Sequence, residues 1–126
     1  NMPRLWALAL LGLVALAASD PANAYGAAVP WPDHPAAKPA RRSGAYVVLD
    51  NGGLCAFVDR GGRSVVSFTD DGATFARGLA LLGPRLPRWT VERIDGVAAA
   101  DADYRPDLVD AGFVLGYKGL TLRKRR

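Results

Sequence analysis

Gly44–Asp71, "GAYVVLDNGGLCAFVDRGGRSVVSFTDD", is the stretch that decides the fold. Three runs rich in Val, Leu, Phe and Tyr are separated by Asn51-Gly52-Gly53 and by Gly61-Gly62. Such residues favour a pleated, half-buried surface. Asn and Gly tolerate the positive φ that tight hairpins demand. The stretch therefore predicts a three-stranded antiparallel meander. Cys55, the single cysteine, falls in its middle run, so no intramolecular disulfide forms and the thiol reads as inert core.

Downstream, "TDDGATFARGLALLG" (Thr69–Gly83) predicts a helix. Thr69, Asp70 and Asp71 are candidate caps, Phe75, Leu79 and Leu82 have helical spacing, Gly78 weakens the helix, and Gly83-Pro84 ends it. "RWTVERIDG" (Arg88–Gly96) reads as a strand ending at an Asp95-Gly96 turn, although Val91 and Ile94 do not alternate. "DYRPDLVDAGF" predicts a short helix with Asp103 as cap and Gly112 as stop. "FVLGYKGLTLR" predicts a last hairpin with Leu120 and Leu122 on one face. The expected fold class is α+β: an antiparallel β-meander, partly barrel-like, with two short helices.

Upstream, the uncharged run Leu5–Ala18 follows Arg4 and precedes Ala22-Asn23-Ala24. That pattern fits a secretory signal cut after Ala24, and it equally fits a buried strand or short helix at a domain edge. Residues 19–43 contain Pro21, Pro30, Pro32, Pro35 and Pro39, which no helix or central strand survives. The expected organisation is an apolar segment (1–18), a Pro/Ala/Gly-rich loop (19–43), an α+β module (44–123) and a basic tail (124–126).

The chain has 126 residues, a formal net charge of +4, and 14 Gly and 9 Pro, which bounds it to one domain with short elements and many turns. Basic residues attract phosphates. Arg60 and Arg63 flank Gly61-Gly62, and a tip of this kind can reach a nucleic-acid backbone. Arg41, Arg42, Arg123 and Lys124 are expected to extend that surface, with Lys38 near them. Tyr25, Trp31 and Tyr117 are candidates for stacking on unpaired bases. Each of these also has a plain structural reading, as a solvated turn or a buried aromatic. His34, the single histidine, and Cys55 are too few for a structural zinc site. Asp20 is a weak catalytic candidate, because Asp-Pro more commonly starts a turn. No metal site is expected.

Four segments taken together resemble the extreme C-terminal region of the Lhr family, the large helicase-related ATP-dependent DNA helicases of bacteria. They are "LAASDPANAYGAAVPWP" (Leu16–Pro32), Gly44–Asp71, "TVERIDG" (Thr90–Gly96) and "AGFVLGYKGLTLR" (Ala111–Arg123). The resemblance spans roughly residues 13 to 123, in the family's order, while residues 1–10 depart from it. It implies that Asp20-Pro21, Asn23 and Tyr25-Gly26 form an internal motif leading to Trp31-Pro32, not a cleavage site. It also implies a cytoplasmic accessory module that contributes either to nucleic-acid binding or to holding the assembly together, with DNA, single-stranded DNA included, and the remainder of the helicase polypeptide as expected partners and no membrane. ATP and Mg²⁺ would belong to a motor elsewhere, since the chain has no GxxxxGK[ST] run. Two rival readings stand beside this one. One is a small secreted or periplasmic domain. The other is a glycosylase-like module, because the family's C-terminal part is similar to bacterial DNA glycosylases.

Overall fold

The computed structural model describes residues 12–123. Residues 1–11 and 124–126, which include Arg4 and the first half of the signal-like run as well as Lys124, lie outside the described residues.

The meander forms as its turns predict. Strands β2 (Tyr46–Asp50), β3 (Gly53–Val58) and β4 (Ser64–Ser67) are joined through Asn51-Gly52 and Gly61-Gly62, all four with positive φ. The apolar segment supplies β1 (Leu13–Ala17), antiparallel to β2, with Leu13 opposite Asp50 and Ala17 opposite Tyr46. The sheet continues through β6 (Arg93–Ile94), parallel to β4, and β7 (Val97–Ala98), in the order β1-β2-β3-β4-β6-β7. A second sheet has the order β5-β9-β8, built from β5 (Arg88–Val91), β8 (Phe113–Leu115) and β9 (Leu120–Arg123). Both sheets are antiparallel apart from the β4–β6 pair, and among the described residues they do not close into a barrel.

The Arg88–Gly96 run is thus two strands in two sheets. Val91 ends β5, Arg93 begins β6, and Glu92 alone lies between them. This explains why Val91 and Ile94 fail to alternate: each is buried, but in a strand of a different sheet.

Helix α1 (Gly72–Ala80) starts at Asp71, whose carboxylate accepts from the Thr74 amide at 3.2 Å and the Thr74 hydroxyl at 2.8 Å. These bonds, the hydroxyl's first, hold the Asp71 carboxyl below the ordinary range. Helix α2 (Arg105–Asp110) corrects one expectation. Its N-cap is Tyr104, which makes no side-chain cap bond, so Asp103 is not the cap. Pro106 sits in its first turn, where the missing N–H costs nothing.

The first sheet is buried on both faces. Val48, Ala56, Val58 and Val65 face α1, α2 and the second sheet, in a core with Phe75, Leu79, Trp89, Phe113 and Leu120. On the other face Val47, Leu49, Leu54, Phe57 and Val66 form a second cluster, and Tyr25, Trp31 and Ala37 of the Pro-rich loop cover it. A bulge between Val48 and Leu49 in the β2–β3 register gives Cys55 and Ala56 to the same core. Cys55 is 1% exposed. Burial, reinforced by Asp50 and Asp71, pushes its thiol up to about 11.

Residues 19–43 have almost no ladder, and side chains hold them instead. Asn23, fully buried, donates to the Ala18 carbonyl at 2.8 Å and accepts from the Tyr25 amide at 3.1 Å. Arg41 donates to the carbonyls of Asn23 (2.6 Å), Tyr25 (3.0 Å), Asp20 (3.2 Å) and Ser19 (3.3 Å). A guanidinium has five N–H donors in a rigid fork, so one side chain can gather a turn that prolines bar from pairing.

Candidate nucleic-acid interface

The β3–β4 tip is built rigidly. The Asp59 side chain accepts from the Arg60 amide at 2.8 Å, and the Gly62 amide donates to the Asp59 carbonyl at 2.9 Å. Gly61 and Gly62 have φ of +86° and +76°, where a side chain would be strained. Trp89 donates its indole N–H to the Gly62 carbonyl at 2.6 Å, and a Cβ at Gly62 would lie 2.5 Å from that nitrogen. The Arg63 carbonyl accepts from the amides of Glu92 (2.8 Å) and Arg93 (3.0 Å). The tip is therefore anchored to the second sheet and to the corner between the sheets.

Arg60 and Arg63 are exposed on this tip, and neither has an ion-pair partner among the described residues. Arg60 runs along Gly44, where a Cβ would come within 3.1 Å of its Cγ. A shallow depression bounded by Gly61, Leu86, Pro87 and Trp89 brings in Arg88. Arg85 lies over the Tyr46 ring at 5.7 Å from its centroid. Sequence reasoning missed Arg85 and Arg88. Their signal was the "PRLPR" run, but only the packing of Trp89 on Gly62 places Arg88 beside the tip, while Arg85 lies over Tyr46.

The other candidate residues have more local partners. Arg41 is engaged on four loop carbonyls, inside the module. Arg42 reaches Asp59 at 3.5 Å and the Lys38 carbonyl at 3.4 Å. The Arg123 backbone is part of β9, while its side chain, like Lys124, lies outside the described residues. Asp20 accepts from the Ala22 amide at 2.8 Å, the Asp-Pro turn geometry. Tyr25 accepts from the Leu54 amide at 3.1 Å and stacks on Trp31 at 6.0 Å. Tyr117 is 100% exposed, far along the chain from both.

A pairing the sequence does not announce ties the loop to the sheet. His34 Nδ1 accepts from the Ala36 amide at 3.0 Å, which leaves Nε2 to donate to Asp95 Oδ1 at 3.0 Å. Asp95 also accepts from the Ser67 amide (2.7 Å) and hydroxyl (2.6 Å). Asp95 joins Asp70, Asp103 and Asp107 around an acidic cleft. Strand β4 runs from Ser64, opposite Arg93, to Ser67, held by Asp95. The arginine tip and the acidic cleft thus sit at opposite ends of one strand, which gives a polyanion one favoured side of approach.

The fold and this surface define a small two-sheet α+β module with a buttressed arginine hairpin. No family model matches the chain. It is 45% identical over 123 residues to the "Lhr helicase/ probable uracil glycosylase" of Mycolicibacterium smegmatis (strain ATCC 700084 / mc(2)155), covering 87% of this chain and 8% of that protein. It is 48% identical over 54 residues to the "Lhr helicase/uracil glycosylase" of Escherichia coli (strain K12), covering 42% of this chain and 4% of that protein. The chain corresponds to a C-terminal region of the Lhr-family helicases. It spans less than a tenth of the length of these relatives.

Proposed function

We propose that the chain is a non-catalytic accessory module of an Lhr-type helicase that adds nucleic-acid contact through its arginine hairpin. The observation that carries this reading is the pair Arg60 and Arg63, exposed and with neither guanidinium in an ion pair among the described residues, on a tip locked by Trp89 and flanked by Arg88. A tip with a fixed backbone leaves only the arginine side chains to be ordered at the moment of binding. Arg41 takes the role of loop clamp, and Arg42 that of link between loop and tip. The ATP- and Mg²⁺-dependent motor belongs to the rest of a parent polypeptide, which is also the module's partner, and the setting is cytoplasmic. No helix among the described residues is long and apolar enough to cross a membrane.

Replacing Arg60 and Arg63 together with Ala should weaken DNA binding and reduce the slope of log affinity against log salt by up to about two. An unchanged affinity and slope would remove the tip from the interface.

The relatives' names, which include uracil glycosylase, favour a second reading in which the module contributes to base excision. That reading requires base release from uracil-containing single-stranded DNA to fall in Asp20→Asn. Full release in that variant would leave Asp20 as the turn residue its Ala22 bond indicates.

A further inference from the structure

The Pro-rich loop does more than cover the sheet. Between Trp31 and Pro39 it lines a half-open cleft of about 470 Å³. Ligand clefts of roughly 300–1,000 Å³ take single small molecules, not a duplex. Trp31 and His34 give it two planar aromatic rings, and Pro32, Pro35, Pro39 and Ala37 give it aliphatic surface. Lys38 stands at the rim, exposed and without an ion-pair partner among the described residues.

The cleft is preformed. Tyr25 stacks on Trp31 at 6.0 Å, Phe57 meets it edge-on at 5.6 Å, and Gly26 packs so closely that a Cβ would sit 2.5 Å from the indole nitrogen. His34 is held on both nitrogens, by Ala36 and Asp95. Pro32, Pro35 and Pro39 fix their own φ. A ligand that enters pays little to order these walls.

A chain of hydrogen bonds links the Lys38 end of the cleft to the arginine tip, while its His34 end is held by Asp95. The Lys38 carbonyl accepts from Arg42, Arg42 pairs with Asp59, and the Asp59 carboxylate accepts from the Arg60 amide. A strand bound along the tip would therefore approach the cleft from its Lys38 side.

We propose that this cleft receives one unstacked nucleobase of single-stranded DNA, with Trp31 as the aromatic wall and Lys38 on the adjoining phosphate. The chemistry fits a flat ligand joined to a phosphate, because an aromatic face stacks on any base and one ammonium donates to one phosphate. Asp33, which also lines the cleft, offers its carboxylate to an exocyclic amino group and opposes a second phosphate. Tyr25 supports Trp31 from behind and does not itself touch the base. The proposal rests on the nucleic-acid reading above and deepens it.

The test uses the unaltered protein and fluorescence anisotropy. Its probes are a short single-stranded oligonucleotide and the same backbone carrying abasic sites. The intact oligonucleotide should bind roughly tenfold more tightly than the abasic one. Lys38→Ala should lower the salt slope by about one. Trp31→Leu should erase most of the preference for intact over abasic DNA, whereas Tyr117→Ala should leave it. If Trp31→Leu does not fold, Lys38→Ala and the abasic comparison still decide. Equal binding of intact and abasic strands would overturn the cleft while leaving the arginine tip standing. A preference that survives Trp31→Leu but disappears in Tyr117→Ala would overturn it too, by moving the base to the far hairpin. Binding of neither strand would overturn the nucleic-acid reading itself.

Discussion

Gly78→Ala is the substitution for which sequence and structure give opposite signs. In the middle of a helix, Ala is favoured over Gly by about 1 kcal/mol. In this protein a Cβ at Gly78 would lie 2.5 Å from Val48 Cγ1, with Val48 Cβ at 3.6 Å and Leu13 Cδ2 at 3.7 Å. Carbon pairs settle at about 3.5–4.0 Å, so the overlap with Val48 is on the order of 1 Å. Val48 is fully buried in β2 and β-branched, hence stiff at χ1. Relief must therefore come from lifting α1 off the sheet. Overpacking of this kind costs about 1–3 kcal/mol. The expected net effect is destabilisation of about 1 kcal/mol, a drop of roughly 3–6 °C in the unfolding midpoint. Calorimetry or circular dichroism measures it. In a Val48→Ala background the clash is gone, and Gly78→Ala should then stabilise. A midpoint that is unchanged or raised in the wild-type background would refute the reasoning. So would the absence of a sign reversal in the Val48→Ala background.

Arg41→Met keeps an aliphatic stem but releases the carbonyls of Asn23 and Tyr25. It should cost about 2 kcal/mol and open residues 19–43 to limited proteolysis, read as earlier cleavage in that segment. Cys55, with its thiol raised from 9.0 to about 11, should resist iodoacetamide in the native protein at pH 8 and react once unfolded. Because the folded pKa is the higher one, the unfolded state loses its proton first. The thiol's contribution to stability is whole below about 9 and is lost as pH rises toward about 11, a decline in urea midpoint that Cys55→Ala should flatten.

The meander was legible because its information is local. Asn51-Gly52 and Gly61-Gly62 specify turns, and the runs between them specify strands. Asp71 was legible as a cap for the same reason. The Arg88–Ile94 run was not, because a single residue, Glu92, divides two sheets and leaves no turn signature. Asp103 misled because a carboxylate before a helix looks like a cap even where Tyr104 holds that position and a proline starts the first turn. Gly78 read as a defect in α1, while its role is set by Val48, a residue of another element. In the candidate site, the exposed arginines of the tip could be picked from their glycine neighbours. That Arg41 faces inward, that Arg88 joins the tip and that His34 meets Asp95 depend on long-range packing that composition does not encode.

The Glu92 corner has a mechanical consequence. Its backbone is gripped from one side by the Arg63 carbonyl, and from the other by Gly119, so close that any Cβ there would strike the Val91 carbonyl. The two sheets meet here across a single residue held on both sides. Moving the arginine tip relative to the β8–β9 hairpin that carries Tyr117 would require breaking the bonds of the Arg63 carbonyl to the Glu92 and Arg93 amides, so the two ends are expected to keep their relative placement.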